Sequence, residues 1–246
     1  AADLLFHTWV LLAHAGVRVC VLERTTEAPD LPRAVGFDGE AVRAFQRIGR
    51  GDDVAALLQP PRADERVTFT TSKREVLFGM PLPPTGPMGW RDISFFDQPE
   101  LEAALRDWIA DESRIDVRLG CEVHAIEQDA ARVVARATVL DGGGEIECTA
   151  RYLVGCDGAS SFVRRALDIP WQSLGYDQDW LVVDVLEKPS SKLPLFMMQV
   201  CDPERLTTYV CVKDPNRRWE FQLREGETRE QMLRPETIEE LLRPWA

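Results

Sequence analysis

Residues 150–169 read ARYLVGCDGASSFVRRALDI. An apolar run, Tyr152-Leu153-Val154, meets Gly155, Cys156, Asp157 and Gly158. Small and hydroxyl residues then lead into a segment of helical character that carries Arg164 and Arg165. A buried strand ending this way delivers an acid and a bare backbone to its carboxyl end, which is where α/β sheets bind their ligands. Gly158 permits positive φ or close backbone approach. Ser160 and Ser161 are candidate helix caps. Arg164 follows Asp157 by seven residues, about two helical turns, so it either reaches back toward a phosphate or pairs with the acid. Two readings fit the stretch. One is a dinucleotide cradle; the other is an ordinary strand–turn–helix with a capping aspartate.

Working outward, residues 117–149 read as short strands, VRLGCEVHAIEQD and RVVARATVL, joined to EIECTARYLVGCD by the turn Asp141-Gly142-Gly143-Gly144. That pattern predicts a β-meander feeding the quoted stretch. Residues 17–23, VRVCVLE, predict a parallel strand ending in Glu23. Residues 9–16, WVLLAHAG, predict the end of a helix closed by Gly16, and RAVGFDGEAVRAFQRIG ends in a helix closed by Gly49. Residues 67–80 predict a hairpin with a polar tip. Asp97 and Glu100 have capping-box spacing ahead of a helix with Leu101, Leu105, Trp108 and Ile109 on one face. Beyond Pro170 the chain is rich in strand patterns, and Thr228 with Gln231 and Thr237 with Glu240 mark two further helix starts. The order argues for a nucleotide-type α/β layer with a second sheet domain appended.

The bulk numbers narrow the class. At 246 residues and 45% hydrophobic, the chain suits one large domain or two modest ones. A net charge of -12 argues against a nucleic-acid partner. No run of about 18 apolar residues predicts a membrane span. The apolar opening lacks a basic n-region and is not read as a signal peptide. Six cysteines without a C-x-x-C pair, and only three histidines, argue against zinc and fit a reducing cytoplasm.

Glu23 ends a strand, where a dinucleotide fold carries the acid that accepts from a ribose diol; strands also end in charge for no such reason. The glycine-rich turn expected about 20 residues upstream is absent, with Ala2 and Leu5 in its slots.

These residues carry a resemblance. YLVGCDGASSFVRRAL resembles the Asp-Gly motif of the FAD-dependent aromatic-ring hydroxylases, the group A flavoprotein monooxygenases. RVCVLERTTEAPDLPRAVGFDGEAVRAFQRIG is similar to their ribose-binding strand and following loop, and ISFFDQPELEAAL to the segment whose glutamine contacts the flavin side chain. The tail from Asp179 looks closest to the 3-(3-hydroxyphenyl)propionate hydroxylase branch. The resemblance implies an α/β fold: a Rossmann-like FAD/NAD(P)-binding domain with a β-meander over 1–170, and a β-rich substrate domain over 171–246 with which the 67–92 hairpin packs. It implies Glu23 on the adenosine ribose, Arg24 at the adenine end, Arg33 near the pyrophosphate and Gln98 on the ribityl chain. It further implies Val123 on the strand facing adenine, Asp38 where a loop approaches the flavin ring, and Asp157 and Gly158 as the pyrophosphate motif with Arg164 beside it. The implied chemistry inserts one oxygen atom of O₂ into a phenolic ring, with FAD as cofactor and NADH or NADPH as co-substrate, in a soluble cytoplasmic enzyme of aromatic-compound breakdown, with a homodimer as the expected assembly.

Two family features are missing from the sequence: the first strand with its glycine-rich turn, and a later Gly-Asp motif. The expectation is therefore a chain shortened at both ends, with Val19 and Val21 on an unpaired apolar edge. The competing function is a catalytically silent remnant that acts at most as a binding or interaction module. A plain NAD(P) dehydrogenase fits least, for want of a phosphate cradle.

Overall fold

The computed structural model describes residues 15–27, 32–62 and 65–245. The helix expected at 9–16 lies outside the described residues except for its closing turn, where Gly16 has φ +82°. In chain order the elements are β1 (Val19–Leu22), β2 (Gly36–Phe37), α1 (Gly39–Arg47), α2 (Gly51–Leu57), β3 (Arg66–Thr70), β4 (Val76–Pro81), β5 (Ser94–Phe95) and α3 (Gln98–Ala110). There follow β6 (Ile115–Arg118), β7 (Cys121–Gln128), β8 (Val133–Val139), β9 (Gly144–Ala150) and α4 (Phe162–Ala166). The chain continues with β10 (Trp180–Leu186), β11 (Met197–Val200), β12 (Thr207–Val210), β13 (Asn216–Gln222), α5 (Arg229–Met232), α6 (Pro235–Leu242) and a 3₁₀ turn (Arg243–Trp245). Among the described residues no helix is long and apolar enough to cross a membrane.

The chain divides into two compact units. The first takes the described residues of Ala1–Pro32, together with Ala44–Arg50 and Pro99–Gln172. In it β1 pairs in parallel with β6, Val19 opposite Ile115 and Leu22 opposite Arg118. The other edge of β1 has no ladder partner among the described residues, yet Val21 is only 4% exposed. The meander is an antiparallel sheet in the order β7-β8-β9, with a bulge between Val123 and Ala125. Its turn uses Gly142 and Gly144 at positive φ, a conformation that costs an L side chain about 1 kcal/mol or more. Along β8, Val133, Ala135 and Ala137 are buried and alternate with less buried residues, the period of a half-covered strand. On α3, Leu101, Leu105 and Ile109 form the buried stripe, and Arg50 lies over the Trp108 ring at 5.1 Å.

One expected strand is not formed. Residues 152–156 have no ladder partner among the described residues, and Tyr152 and Val154 are 78% and 59% exposed. An apolar run becomes a buried strand only where neighbours supply hydrogen bonds and a covering face, and β9 ends at Ala150 before any such neighbour is reached.

The second unit takes Arg33–Arg43, Gly51–Gln98 and Ser173–Ala246. Its sheet has six strands in the order β10-β13-β12-β11-β3-β4, with the β3–β4 hairpin at one end. Pairing is antiparallel except between β11 and β3. Alternate residues, Leu181 and Val183, Met198 and Val200, Tyr209 and Cys211, Trp219 and Phe221, form one buried face, which packs with Met232 and Trp245. Each large side chain so buried contributes about 1.5–3 kcal/mol. Tyr209 lies 5.0 Å from Trp219 and 5.1 Å from Trp245, centroid to centroid, and its hydroxyl donates to Pro194 O at 2.8 Å. Val210 and Val212 belong to a separate cluster with Phe95. Buried cations are paired: Arg218 meets Asp184 through two 2.8 Å bonds, and Arg91 meets Glu65. Thr228 and Gln231 form a reciprocal capping box on α5. The second expected start is displaced: α6 begins at Pro235 with Arg234 as its N-cap residue, because proline is pre-set for the first helical position. Thr237 donates to Gln231 O instead.

Candidate functional site

In the first unit, β1 carries the chain to Glu23, whose backbone is pinned on both sides: its N–H donates to Arg118 O at 3.0 Å and its carbonyl accepts from Cys121 N–H at 2.9 Å. The half-buried carboxylate accepts from Thr25 twice through Oε1, from the N–H at 2.7 Å and the hydroxyl at 2.9 Å. Thr25 therefore orients Glu23, a role the sequence reading missed although an acid followed two places later by a hydroxyl residue is a turn signal. Arg24 meets Glu122 at 3.7 Å with both side chains exposed, a pair worth about 0–1 kcal/mol. Glu122 precedes Val123, so Glu23, Arg24 and Val123 share one neighbourhood.

The quoted stretch forms a tight turn into α4. Asp157 Oδ1 accepts from the Ser161 hydroxyl, and Oδ2 accepts from Val163 N–H at 3.0 Å. Ser161 caps the helix, accepting from Arg164 N–H at 3.0 Å. Partial burial pushes the Asp157 carboxyl up, but the hydrogen bonds from Ser161 and from Val163 and its neighbours outweigh that and hold it below the usual carboxylate range. Gly158 has φ +76° with open space where a side chain would be. Gly155 is needed for a different reason: a Cβ there would lie 2.8 Å from Val163 Cβ.

Arg164 does not pair with Asp157. Its guanidinium sits over the Trp171 ring at 5.4 Å and donates to Ile169 O at 3.4 Å. The physical reason is that Ser161 and the start of α4 already satisfy the carboxylate. Its buried Nε has no hydrogen-bond partner among the described residues, so one donor of a fixed cation remains unused.

The other three residues belong to the second unit. Gln98 is 2% exposed. Its Oε1 accepts from the backbone N–H of Arg33 at 2.6 Å and of Ala34 at 2.8 Å, which brings Arg33 and Gln98 together. Asp38 is exposed and accepts from Ala41 N–H at 3.0 Å, so it acts as the N-terminal cap of α1. Among the described residues no group of three or more His, Cys, Asp or Glu side chains is placed to hold a metal ion.

A family model described as an FAD binding domain matches residues 7–245. The chain belongs to this FAD-binding-domain family. It is 36% identical over 228 residues to the 3-(3-hydroxy-phenyl)propionate/3-hydroxycinnamic acid hydroxylase of Paraburkholderia xenovorans strain LB400, across 93% of this chain and 36% of that protein. It is 32% identical to the enzyme of the same name from Escherichia coli strain K12, across 94% of this chain and 40% of that protein. The chain thus spans about two fifths of the length of such relatives or slightly less. Among solved structures, p-nitrophenol 4-monooxygenase PnpA from Pseudomonas putida DLL-E4 matches with a TM-score of 0.82 at 20% identity, over 96% of this chain and 60% of that one. A ternary complex of aklavinone-11 hydroxylase with FAD and aklavinone matches at 0.78 and 24% identity, over 96% of this chain and 47% of that one. The likeness to these solved structures shows that this FAD-binding-domain chain shares their α/β fold.

Proposed function

We propose that this chain is the FAD-binding portion of a monooxygenase that hydroxylates a phenolic or aromatic acid with NAD(P)H and O₂. The observation that carries the reading is the match of residues 7–245 to the FAD binding domain, and relatives named as 3-(3-hydroxy-phenyl)propionate/3-hydroxycinnamic acid hydroxylases support the substrate class. The residues suit the group. Glu23, steadied by Thr25, accepts from the hydroxyls of the adenosine ribose, with Arg24 and Val123 toward the adenine. Gly158 leaves backbone bare for a diphosphate, and the unused Arg164 Nε–H is a donor for its oxygens. Asp157 holds the turn that presents them. Arg33 and Gln98 serve the pyrophosphate and ribityl chain, and Asp38 fixes the start of α1 near the flavin ring. Bound FAD supplies the redox chemistry, while the chain binds, orients and excludes water.

In this reading residues 1–170, apart from the 67–92 hairpin, serve the cofactor, and 171–246 with that hairpin serve the aromatic substrate. The six free cysteines support a reducing, cytoplasmic setting, and the charge of -12 supports a small-molecule rather than a nucleic-acid partner. The test is fluorescence titration of the purified chain with FAD, followed by NAD(P)H oxidation and O₂ uptake with a hydroxyphenyl-propionate. Saturable FAD binding is expected. Absence of any FAD binding by a folded chain overturns the reading.

A further inference from the structure

Cys20 on β1 and Cys148 on β9 are 128 positions apart in sequence, yet their sulfurs lie 3.8 Å apart. Cys20 is exposed and Cys148 half-buried, and neither is in a disulfide. Two polar side chains of β6 complete the group. Asp116 Oδ2 is 4.0 Å from Cys20 Sγ, and Arg118 Nη1 is 3.5 Å from Cys148 Sγ. Arg118 is itself fixed by a bond from Nε to Asp116 Oδ2 at 2.9 Å.

We propose that Cys20 and Cys148 are a reversible oxidation site, forming a disulfide that clamps β1 to β9. Sulfurs already in van der Waals contact need to close by only about 1.8 Å to reach bonding distance. The clamp joins β1, which leads into Glu23, to β9, which precedes the Asp157 turn. It stands whether or not the chain binds FAD.

The oxidant is a low-molecular-weight disulfide such as oxidised glutathione. The first attack is assigned to Cys148, whose sulfur has the Arg118 guanidinium 3.5 Å away to offset the charge that develops on it. Its thiolate attacks one sulfur of the small disulfide, breaks that S–S bond and expels a thiolate. Cys20 then gives up its proton to the small thiolate released in the first step and attacks the Cys148 sulfur to expel the second small thiolate. The two protein thiols lose two protons and two electrons, and the small disulfide is reduced to two thiols.

The test is non-reducing tryptic mapping of the chain after exposure to oxidised glutathione. Each cysteine falls in its own peptide, 19–24 and 137–151. The expected result is one cross-linked species of these two peptides, abolished by dithiothreitol and by either Cys20→Ser or Cys148→Ser, and retained in Cys156→Ser. Closing so long a loop should also raise the melting temperature by roughly 5–10 °C. Stable mixed glutathione adducts without the 19–24/137–151 species overturn the proposal. So does a cross-linked chain that melts where the reduced chain does.

Discussion

Gln98 Oε1 lies 2.6 Å from the backbone nitrogen of Arg33 and 2.8 Å from that of Ala34, so one buried amide oxygen fixes the loop that presents Arg33. Gln98→Leu removes the acceptor from both N–H groups and should lower stability by about 1–3 kcal/mol. Gln98→Glu keeps an oxygen there and should lose less. Urea unfolding of the three proteins is the measurement, and equal losses in both variants would count against the bond as the cause.

Gly155 and Gly158 should respond differently to alanine. At Gly155 the new methyl meets Val163 Cβ at 2.8 Å, an overpacking of the kind that costs about 1–3 kcal/mol. At Gly158 there is space, and only φ +76° opposes the change, which costs about 1–2 kcal/mol. Pairing each variant with Val163→Gly separates the mechanisms: the second substitution should recover stability for Gly155→Ala and not for Gly158→Ala.

Asp157 should make stability depend on acid. Its carboxyl is held below the usual range in the folded chain. It therefore stabilises fully above the unfolded value of about 3.9, and that contribution fades as pH falls through the lower folded value. Asp157→Asn should be less stable than the parent at neutral pH. The gap should shrink as pH falls below about 4, where the unfolded carboxyl takes up its proton first, and close once the pH passes below the lower folded value. Melting temperatures of both proteins across that range check the sign.

Arg164 should matter more to the cofactor than to the fold. Arg164→Met keeps an apolar stem beside Trp171 and removes the buried, unused Nε–H. FAD affinity should fall roughly tenfold to a hundredfold, the worth of a hydrogen bond to a charged group. An unchanged dissociation constant in a fluorescence titration would remove Arg164 from the site.

Much of the local structure was legible in the sequence because it is written in short-range chemistry. Period-two alternation marked β7 and β8, Asp141 to Gly144 marked the turn between β8 and β9, and Thr228 with Gln231 marked α5. Leu101, Leu105 and Ile109 marked the buried stripe of α3. Candidate site residues were legible as types in a pattern, an acid after a strand and an Asp-Gly before a helix. Their partners were not, since Thr25 on Glu23, Val163 against Gly155 and Trp171 under Arg164 depend on side-chain directions that spacing does not encode.

What the sequence alone determined was the meander strands with their glycine turn, the α5 cap and the buried stripe of α3, because propensity, capping and periodicity act within a few residues. Tertiary structure alone decided the rest. It left 152–156 outside every ladder among the described residues, although the run is as apolar as a strand. It placed β3 beside β11 in parallel, and it brought Cys20 within 3.8 Å of Cys148. Each of these depends on which distant surface supplies a hydrogen-bond partner or a covering face, and that choice is settled only when the whole chain packs.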